Sequence, residues 1–428
     1  MTSPRAVLRR AFEAAVSAAD PAAAVRPHLP DPPARGRVIV VGLGKAAAPM
    51  AAAVEERYLD AGVALEGVVV TRYGHAQPLR RVRCLEAAHP VPDAAGQAAA
   101  EEILACVDGA GEDDLVLVLV SGGGSALACA PAPGLTLAAK QALTDALLRS
   151  GADIGEINLV RKHLSALKGG RLALRAAPAR VLALVVSDVV GDDLAAIASG
   201  PTVADDSGPS DALAVLERYA LDAGDARRAL LRAEADADRP RAHHPAFERV
   251  ETRLVASNQA SLAAAAALLE SEGYRPLVLS DALTGEAREA GAFHAAVALQ
   301  AWRHGQPASP PLALLSGGET TVTVRGEAGR GGRNSEFALG LALALPAAGE
   351  APIAALAADS DGIDGFGGHA GAFVTPELLR AWDRREARGA LARHDSYALF
   401  EAHDHLLVTG PTRTNVNDVR VVLVDAPG

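Results

Sequence analysis

A lysine in a glycine turn is the first residue whose position suggests chemistry. The stretch VGLGKAAA places Lys45 between an apolar strand and a helix, where an ammonium beside a helix N-terminus suits a phosphate or a carboxylate. Gly42, Gly44 and Ala47 also satisfy the GxGxxA pattern of dinucleotide-binding turns. Arg72, near the end of the next predicted strand, keeps an NADP site open. A Walker A loop is excluded because no GxxxxGK[ST] frame is present.

Two serine-glycine segments follow apolar strands, one in each half of the chain. VLVLVSGGGSAL (116–127) and LALLSGGET (312–320) both run from a strand into bare backbone. Glycines let backbone N–H groups converge on an oxyanion, and serine hydroxyls add donors, whereas a tight strand-to-helix turn is the alternative. A serine nucleophile is not indicated, because GxSxG is absent. We predict phosphate or substrate contacts at Gly44, Ser121, Gly122, Gly123, Gly124, Ser125, Ser316, Gly317, Gly318 and Glu319.

An aspartate at the end of another predicted strand is a candidate for proton transfer. In VVSDVVGDD, Asp188 stands where a buried carboxylate is costly unless Lys, Arg or a divalent cation pairs with it. Asp192 and Asp193 follow a glycine, and helix capping explains at least one of them. We therefore predict that Asp188 is catalytic or binds a metal.

Arginines among glycines precede a helix in the second half of the chain. GRGGRNSEFAL places Arg330, Arg333, Asn334 and Glu336 at the start of an apolar helix. Guanidinium groups and helix N–H groups then point at one place. A capping box explains the serine but not the two arginines, so we predict a second cluster that binds phosphate or substrate.

The segment ADSDGIDG groups three carboxylates, at Asp359, Asp361 and Asp364. Its DxDG beginning is typical of a calcium loop, but the bidentate glutamate expected further along is missing. A magnesium-phosphate role for Asp359 and Asp361 and an Asx-rich turn both remain open.

Strands and helices alternate along the chain and must position these loops. RVIVVGLGKAAAPMAAAVEERYL (37–59) has the pattern of strand, glycine turn and helix, and continuous apolar strands follow. This alternation favours α/β architecture, with a parallel sheet covered by helices on both faces. The polar segment 231–251 lacks an apolar period, and the pattern restarts after it. We expect an N-terminal domain over 1–240 and a C-terminal α/β domain over 250–428, with the active site in the cleft between them.

Composition and charge limit the possible partners. The 428 residues carry a formal net charge of −11, which opposes nucleic-acid binding. The longest apolar runs are about a third of a membrane span, and a surface helix explains the Arg-rich N-terminus better than a transit peptide does. Three cysteines without a CxxC pair indicate neither zinc nor disulfides. We expect a cytoplasmic monomer or homodimer that acts on small molecules, without a membrane.

In combination, these motifs resemble the glycerate 2-kinases that contain a MOFRL domain, whose bacterial members often carry the label hydroxypyruvate reductase. The resemblance runs nearly end to end. It implies a Rossmann-like N-terminal domain, a MOFRL-type C-terminal domain, and transfer of the ATP γ-phosphoryl group to the 2-hydroxyl of D-glycerate. The motifs that carry it are VGLGKAA, EAAHPVPD, VSGGGSAL, NLVRKHLSALKGGRLA, SDVVGDDLAAIASGPT, LLSGGETTV, GRGGRNSEFAL, ADSDGIDG and TGPTRTNVND.

The resemblance also assigns roles to residues. Lys45 and Arg333 would stabilise the transferring phosphoryl group, in agreement with a reaction that needs positioning and neutralised oxygens. One aspartate, Asp188 by preference, would accept the glycerate hydroxyl proton. Mg²⁺ would bridge the phosphates, held by one or two of Asp188, Asp359 and Asp361. The serines and glycine amides of the first loop would bind the substrate carboxylate.

Two positions depart from the family pattern. Val190 stands where the family usually has proline. Arg413 stands where it usually has glycine, which puts a long cation in a loop near the expected site.

Two other functions fit part of the sequence. An NAD(P)H-dependent hydroxypyruvate reductase would use the GxGxxA turn and would need a histidine–carboxylate proton donor. A non-catalytic module would bind nucleotide without turnover.

Overall fold

The computed structural model describes residues 3–236, 239–324, 326–327, 329–347 and 349–426. They form two compact units. We call residues Pro21–Val255 the first-sheet unit, and residues Met1–Asp20 with Ala256–Gly428 the second-sheet unit.

The first helix, α1 (Pro4–Ala18), belongs to the second-sheet unit. Its buried residues Leu8 and Phe12 share an apolar cluster with Leu262, Leu356 and Phe373. The unit boundaries thus differ from the expected division into 1–240 and 250–428, because the helix buries its apolar face against elements that come much later in the chain.

The first-sheet unit is built on six strands. They are β1 (Val38–Leu43), β2 (Leu65–Arg72), β3 (Val82–Ala87), β4 (Leu115–Val120), β5 (Arg180–Val186) and β6 (Val250–Ala256). Their order is β3-β2-β1-β4-β5-β6, and β1 to β5 pair in parallel. This is the strand order of Rossmann-like sheets. Every residue of β1 and β4 is buried, so both faces of the sheet are covered there.

The helices of this unit follow the predicted alternation, with one exception. They are α2 (Pro21–Val25), α3 (Ala47–Leu59), α4 (Ala94–Asp108), α5 (Gly124–Leu127), α6 (Leu137–Ser150), α7 (Ile154–His163), α8 (Arg171–Ala176), α9 (Pro209–Arg218) and α10 (Gly224–Ala235), with 3₁₀ turns at Arg26–His28, Ile197–Ser199 and Pro245–Arg249. The sequence pattern over 158–174 is that of one amphipathic helix interrupted at Gly169 and Gly170, whereas the structure has two helices that lie further apart. α7 ends already at His163, and α8 begins at Arg171, directly after the two glycines, both of which have positive φ.

The second-sheet unit contains a mixed sheet. Its strands are β7 (Arg275–Leu283), β8 (Leu312–Gly318), β9 (Ile353–Asp359), β10 (Gly371–Val374), β11 (Leu406–Leu407) and β12 (Asp418–Val424). Their order is β11-β10-β9-β12-β8-β7, with β7 parallel to β8 and the other neighbours antiparallel. Its helices after α1 are α11 (Asn258–Ser271), α12 (Ala287–His304), α13 (Arg333–Ala344), α14 (Pro376–Ala381), α15 (Arg384–Ala392) and α16 (Ser396–Ala402).

The antiparallel pairing of β12 decides where charged residues meet. Because β12 runs against β8 and β9, its first residue lies at the edge where those two strands end. Asp418 is paired in register with Asp359, and Glu319 follows β8 at the same edge. Among the described residues, no helix is long and apolar enough to cross a membrane.

Candidate active site

Lys45 lies at the carboxyl end of β1, beside the loop 121–125 that follows β4. The strand order reverses between β1 and β4, and parallel sheets of this kind bind ligands at that point. The Lys45 N–H donates to the Gly122 carbonyl at 2.9 Å, and the Ala46 N–H donates to Ser121 Oγ at 3.0 Å. The two predicted loops therefore form one structure, which we call the Lys45 cluster.

The backbone of the lysine turn is satisfied within the protein. In addition to the two bonds above, the Gly44 N–H donates to the Val70 carbonyl at 3.1 Å. Gly44 has a φ of 132°, and a Cβ there would lie 2.2 Å from Ser121 Oγ. Glycine is thus required because Ser121 packs against the turn. The amide of Gly44, predicted to contact phosphate, is already engaged, which leaves the Lys45 side chain as the contribution of this turn.

The N–H groups of the loop 121–125 are of two kinds. The Ser121 N–H donates to the Leu43 carbonyl at 3.1 Å, and the Gly124 N–H donates to the Ser121 carbonyl at 3.3 Å. Among the described residues, no backbone carbonyl accepts from the N–H of Gly122, Gly123 or Ser125. Adjacent N–H groups that no carbonyl engages can form a concave site for an oxyanion. The contacts predicted at Gly122, Gly123 and Ser125 would use these N–H groups.

A carboxylate and an imidazole lie against these amides. A Cβ on Gly122 would be 2.0 Å from Asp188 Oδ2, and a Cβ on Gly123 would be 2.9 Å from His89 Cδ2. The predicted catalytic Asp188 thus belongs to the Lys45 cluster. His89 was missed by the residue analysis, although its position two residues after β3 marks another strand end at the same edge of the sheet.

The buried side chain of Lys168 hydrogen-bonds to the loop 121–125. The Lys168 ammonium donates to the Ser125 carbonyl at 2.8 Å, and Lys168 is only 1% exposed. The Ser125 hydroxyl is 2.6 Å from the Ser199 hydroxyl, and the Gly169 N–H donates to the Ser199 carbonyl at 2.9 Å. Lys168 and Gly169 thereby hold two neighbouring loops together. The predicted substrate contact at Ser125 is a hydroxyl that Ser199 already engages.

Burial lowers the pKa of Lys168 well below its usual range, and the nearby cations Lys140 and Arg161 lower it further. A charge of this kind is expensive to bury without a carboxylate partner. Sequence analysis missed Lys168 because it falls in an apparently helical pattern; the signal was the KGG that follows.

Arg333 is the centre of a second group of charged residues, which we call the Arg333 cluster. Its Nε donates to Asp418 Oδ1 at 2.9 Å, its Nη2 to Asp359 Oδ2 at 2.7 Å, and its Nη1 to Glu319 Oε1 at 2.6 Å. The three carboxylates come from the sheet edge described above. A guanidinium has five N–H donors, so two remain for a ligand.

Negative charge exceeds positive charge in this cluster. Burial opposes the charged form of Arg333, but the carboxylates of Asp418, Asp359 and Glu319 outweigh it and raise the pKa of Arg333. Burial and the carboxylates of Asp361 and Asp418 raise the pKa of Asp359 well above its ordinary value, although Arg333 opposes this. An additional cation would relieve the repulsion among these carboxylates.

Asp418 and Arg420 are functional candidates that sequence reasoning missed. Both are fully buried, and they form an ion pair within β12. Arg420 also donates to the Gly317 carbonyl at 3.0 Å, and Asn334 Nδ2 donates to Asp418 Oδ1 at 2.7 Å. Asn334, predicted to contact phosphate, instead holds this carboxylate in place. The signal was a pair of opposite charges at alternate positions of a buried strand.

The N-terminus of α13 already has an anion. Asp364 is buried and accepts from the N–H groups of Asn334 and Ser335, at 2.9 and 2.8 Å, and from the Ser335 hydroxyl at 2.8 Å. The helix amides that the sequence suggested for phosphate are therefore taken by a carboxylate of the protein.

The second serine-glycine segment is a strand end, not an open loop. Ser316, Gly317 and Gly318 are buried in β8. The Ser316 hydroxyl is 2.8 Å from His294 Nε2, and a Cβ on Gly317 would lie 1.6 Å from Asn258 Oδ1. The prediction of a phosphate loop here is not supported by these contacts, because the glycines make room for protein neighbours. Glu319, directly after the strand, does reach Arg333.

Arg330 and Glu336, also predicted to contact phosphate or substrate, have partners other than the Arg333 side chain. The Arg330 guanidinium lies over the Tyr397 ring, 4.5 Å from its centroid, and 3.5 Å from Glu401. Glu336 is buried and contacts His394 Nδ1 at 3.0 Å. Several of the predicted site residues nevertheless border one cavity of about 510 Å³. Its lining includes Glu319, Arg333, Glu336, Asp359 and the exposed Phe366.

Asp361 forms an Asx turn beside this cavity. The Asp361 N–H donates to Asp359 Oδ1 at 2.9 Å, and the Ile363 N–H donates to Asp361 Oδ1 at 2.8 Å. The described residues contain no group of three or more His, Cys, Asp or Glu side chains that could hold a metal. Mg²⁺ is commonly held by one or two carboxylates together with substrate phosphates. The donor set of Asp359 and Asp361 therefore suits Mg²⁺ only when a phosphate ligand completes it.

Comparison with known proteins finds two family matches. Residues 7–232 match a domain of unknown function, DUF4147, and residues 312–418 match the MOFRL family. A putative hydroxypyruvate reductase of Agrobacterium vitis is 52% identical over 99% of this chain and 95% of its own. A D-glycerate 2-kinase of Thermotoga maritima is 43% identical over 91% of each chain.

A solved structure extends the likeness to the fold. The crystal structure of a glycerate kinase from Thermotoga maritima superimposes with a TM-score of 0.89 at 40% identity. The match covers 98% of this chain and 100% of that one.

Proposed function

Because this chain belongs to the MOFRL-containing glycerate kinase family, we propose that it transfers the γ-phosphoryl group of ATP to the 2-hydroxyl of D-glycerate, giving 2-phosphoglycerate and ADP. The three cysteines are free thiols, which supports a cytoplasmic setting.

The observation that carries the proposal is the composition of the Lys45 cluster. At the strand-order reversal between β1 and β4 it combines the amine of Lys45, the N–H groups of Gly122 and Gly123, which no backbone carbonyl engages, and the carboxylate of Asp188. These are groups that bind oxyanions and accept a proton. Phosphoryl transfer needs both, and it needs little covalent chemistry from the protein.

Each group of the Lys45 cluster has a role that follows from its chemistry. Gly122 and Gly123 bind an anionic oxygen of the substrate through their N–H groups, and Lys45 neutralises an oxygen of the transferring phosphoryl group. Asp188 accepts the proton of the 2-hydroxyl as that oxygen attacks phosphorus, since its carboxylate lies against the amides that orient the substrate. Lys168 positions the loop and does not touch substrate.

The Arg333 cluster supplies the charge for the nucleotide. The two N–H groups of Arg333 that no carboxylate uses would bind phosphate oxygens. Bound Mg²⁺ would neutralise phosphate oxygens, with Asp361 and Asp359 as its protein ligands. Arg330 is left out of this assignment because its guanidinium packs on Tyr397.

A reductase is the second candidate, because the Agrobacterium vitis relative carries that name and the GxGxxA turn is present. In a dinucleotide site the second glycine lets the backbone approach the pyrophosphate. Here the equivalent Gly44 makes room for Ser121, and the amides of the turn are bound within the protein. This geometry favours the kinase.

The test supplies both sets of reagents to the purified protein. We expect ADP and 2-phosphoglycerate from ATP, Mg²⁺ and D-glycerate, with phosphorus NMR separating 2- from 3-phosphoglycerate. We expect no oxidation of NADPH by hydroxypyruvate. Lys45→Ala should keep the fold and lose turnover. Cofactor oxidation without ADP formation would establish the reductase instead, and ATP binding without turnover in the wild type would indicate a non-catalytic module.

A further inference from the structure

The first-sheet unit contains a cavity that has no part in the proposed reaction. It has a volume of about 450 Å³ and is bordered by residues of α7, α8 and α10. A cavity of this size accommodates a small molecule. Among its described lining residues, the charged ones are four arginines and one acid, namely Arg171, Arg175, Arg232, Arg239 and Asp236.

Two of these arginines hydrogen-bond to carbonyl groups. Arg171 Nη1 donates to the Lys168 carbonyl at 3.0 Å, and Arg232 Nη2 donates to the Pro133 carbonyl at 2.8 Å. Each guanidinium keeps further N–H groups for another partner. The other two arginines have carboxylate partners that do not line the cavity, Asp108 for Arg175 and Glu234 for Arg239.

The protein around Arg171 is rich in buried cations. Burial lowers the pKa of Arg171, with the carboxylates of Asp205 and Asp236 opposing it. Burial likewise lowers the pKa of Lys140 and of Lys168, whose ammonium groups bind carbonyl oxygens. Among the described lining residues, the excess of four arginines over one acid favours an anion in the cavity.

A buried histidine in the cavity wall adds no charge to it. His163 is 3% exposed, and its Nε2 lies 2.9 Å from the Ser207 hydroxyl. That hydroxyl donates to Asp205 Oδ1 at 2.7 Å, so its oxygen accepts from the Nε2–H group of His163. Nδ1 is then an acceptor, and it has no partner in the described part of the chain. Burial lowers the pKa of His163 to about 4, so the ring is neutral at pH 7.

We propose that this cavity binds a small aliphatic molecule that carries a phosphate or carboxylate group. Arg171 and Arg232 bind the anionic oxygens, for which a guanidinium fork is well suited. No aromatic ring other than His163 lines the cavity among the described residues, which argues against a nucleobase.

The experiment measures binding by calorimetry with the full-length protein. The probes are glycerol 3-phosphate and malate, small aliphatic molecules that carry a phosphate group and carboxylate groups respectively. We expect one equivalent of at least one probe to bind, and the probe that binds identifies the anionic group. Arg232→Gln lies on an exposed helix face and should weaken binding about tenfold or more, because it removes a charge-assisted hydrogen bond.

Two controls separate this cavity from other anion sites. Arg228→Gln removes the same charge one turn earlier on α10, where Arg228 pairs with Asp225 outside the cavity, and it should leave binding unchanged. Lys45→Ala should also leave it unchanged. Equal affinity of Arg232→Gln and Arg228→Gln, loss of binding in Lys45→Ala, or no saturable binding of either probe would each overturn the proposal.

Discussion

The carboxylate of Asp188 lies against the backbone of Gly122, so closely that a Cβ on this glycine would be 2.0 Å from Asp188 Oδ2. Glycine is therefore required at position 122 because Asp188 leaves no room for a Cβ, in addition to the proposed contact of its N–H group with substrate. The proposed proton acceptor and the proposed oxyanion donor are fixed relative to each other by this contact.

Gly122→Ala should consequently abolish most of the activity while the protein remains folded. The methyl group must displace Asp188, and a misplacement of about 1 Å costs about 100-fold in rate. The measurement is kcat/KM for D-glycerate. Gly111→Ala is the control, because a Cβ there meets nothing closer than Asp114 Oδ2 at 3.8 Å. Comparable activity in the two variants would remove Asp188 from the mechanism.

Lys168→Met should reduce kcat by about tenfold or more without lowering stability. Methionine fills the space of the lysine stem and removes a buried charge, so the free energy of unfolding should stay constant or rise. The loop 121–125 loses its bond at the Ser125 carbonyl and becomes less well positioned. Lys168→Arg, which keeps a charged donor, should retain more activity than Lys168→Met.

The control for this charge removal is Lys140→Met. Lys140 is also buried, at 5% exposure, but its ammonium donates to the Leu164 carbonyl and not to the loop. It should keep wild-type kcat. A loss of activity in both variants would mean that burial of charge in this region matters, and that the contact with Ser125 does not.

The sequence predicted the Lys45 cluster well because strand ends are local features. Continuous apolar runs located β1 and β4, and in a parallel sheet neighbouring strands end at one edge. Lys45, Gly122 and Asp188 follow three such strands. Which amides of these turns stay unpaired was not predictable, because it depends on contacts such as that of Ala46 with Ser121.

The Arg333 cluster was predicted less completely because its contacts are long-range. Asp418 lies 85 residues after Arg333, and only the antiparallel position of β12 brings the two together. Glycines at 317 and 318 indicated a loop, whereas they give room to Asn258 and Leu283 within the packed sheet. Arg413 has a φ of 65°, which explains the glycine that the family usually has there.

Asp361→Asn should raise the Mg²⁺ concentration needed for half-maximal activity about tenfold, since a carboxylate is a stronger ligand for Mg²⁺ than an amide. The amide oxygen can still accept from the Ile363 N–H, so the turn survives. Asp193→Asn is the control, because Asp193 Oδ1 accepts from the Ala195 N–H in a similar turn. Activity is titrated with Mg²⁺ at saturating D-glycerate. An unchanged Mg²⁺ requirement would exclude Asp361 as a ligand.

Lys140 should make stability depend on pH in the alkaline range. Burial lowers the pKa of Lys140 to about 8, whereas an unfolded lysine has a pKa of about 10.4. Between these values the unfolded state binds more protons, so the free energy of unfolding rises with pH. Urea unfolding at pH 7.5 and at about pH 10, followed by circular dichroism, should show a larger increase in the wild type than in Lys140→Met. An equal increase would mean that Lys140 titrates normally.

Arg333→Ala should destabilise the second-sheet unit as well as remove activity. Arg333 compensates the buried carboxylates of Asp418 and Asp359, and removal of one partner of a buried pair costs about 3 kcal/mol or more. Both tryptophans, Trp302 and Trp382, belong to this unit, so their fluorescence during urea unfolding reports on it.

Arg330→Ala provides the matched comparison, because it removes the same charge from the same glycine-rich segment. Arg330 is exposed and packs on Tyr397, so its loss should change the free energy of unfolding by only about 0.5 kcal/mol. Activity should also persist, since its guanidinium contacts none of the carboxylates that surround Arg333 in the described structure. If Arg330→Ala lost turnover while Arg333→Ala kept it, the catalytic arginine would be Arg330 and not Arg333. If both variants unfolded at the same urea concentration as the wild type, the three carboxylates around Arg333 would have to be neutralised by protons, and the charge balance derived for this cluster would be wrong.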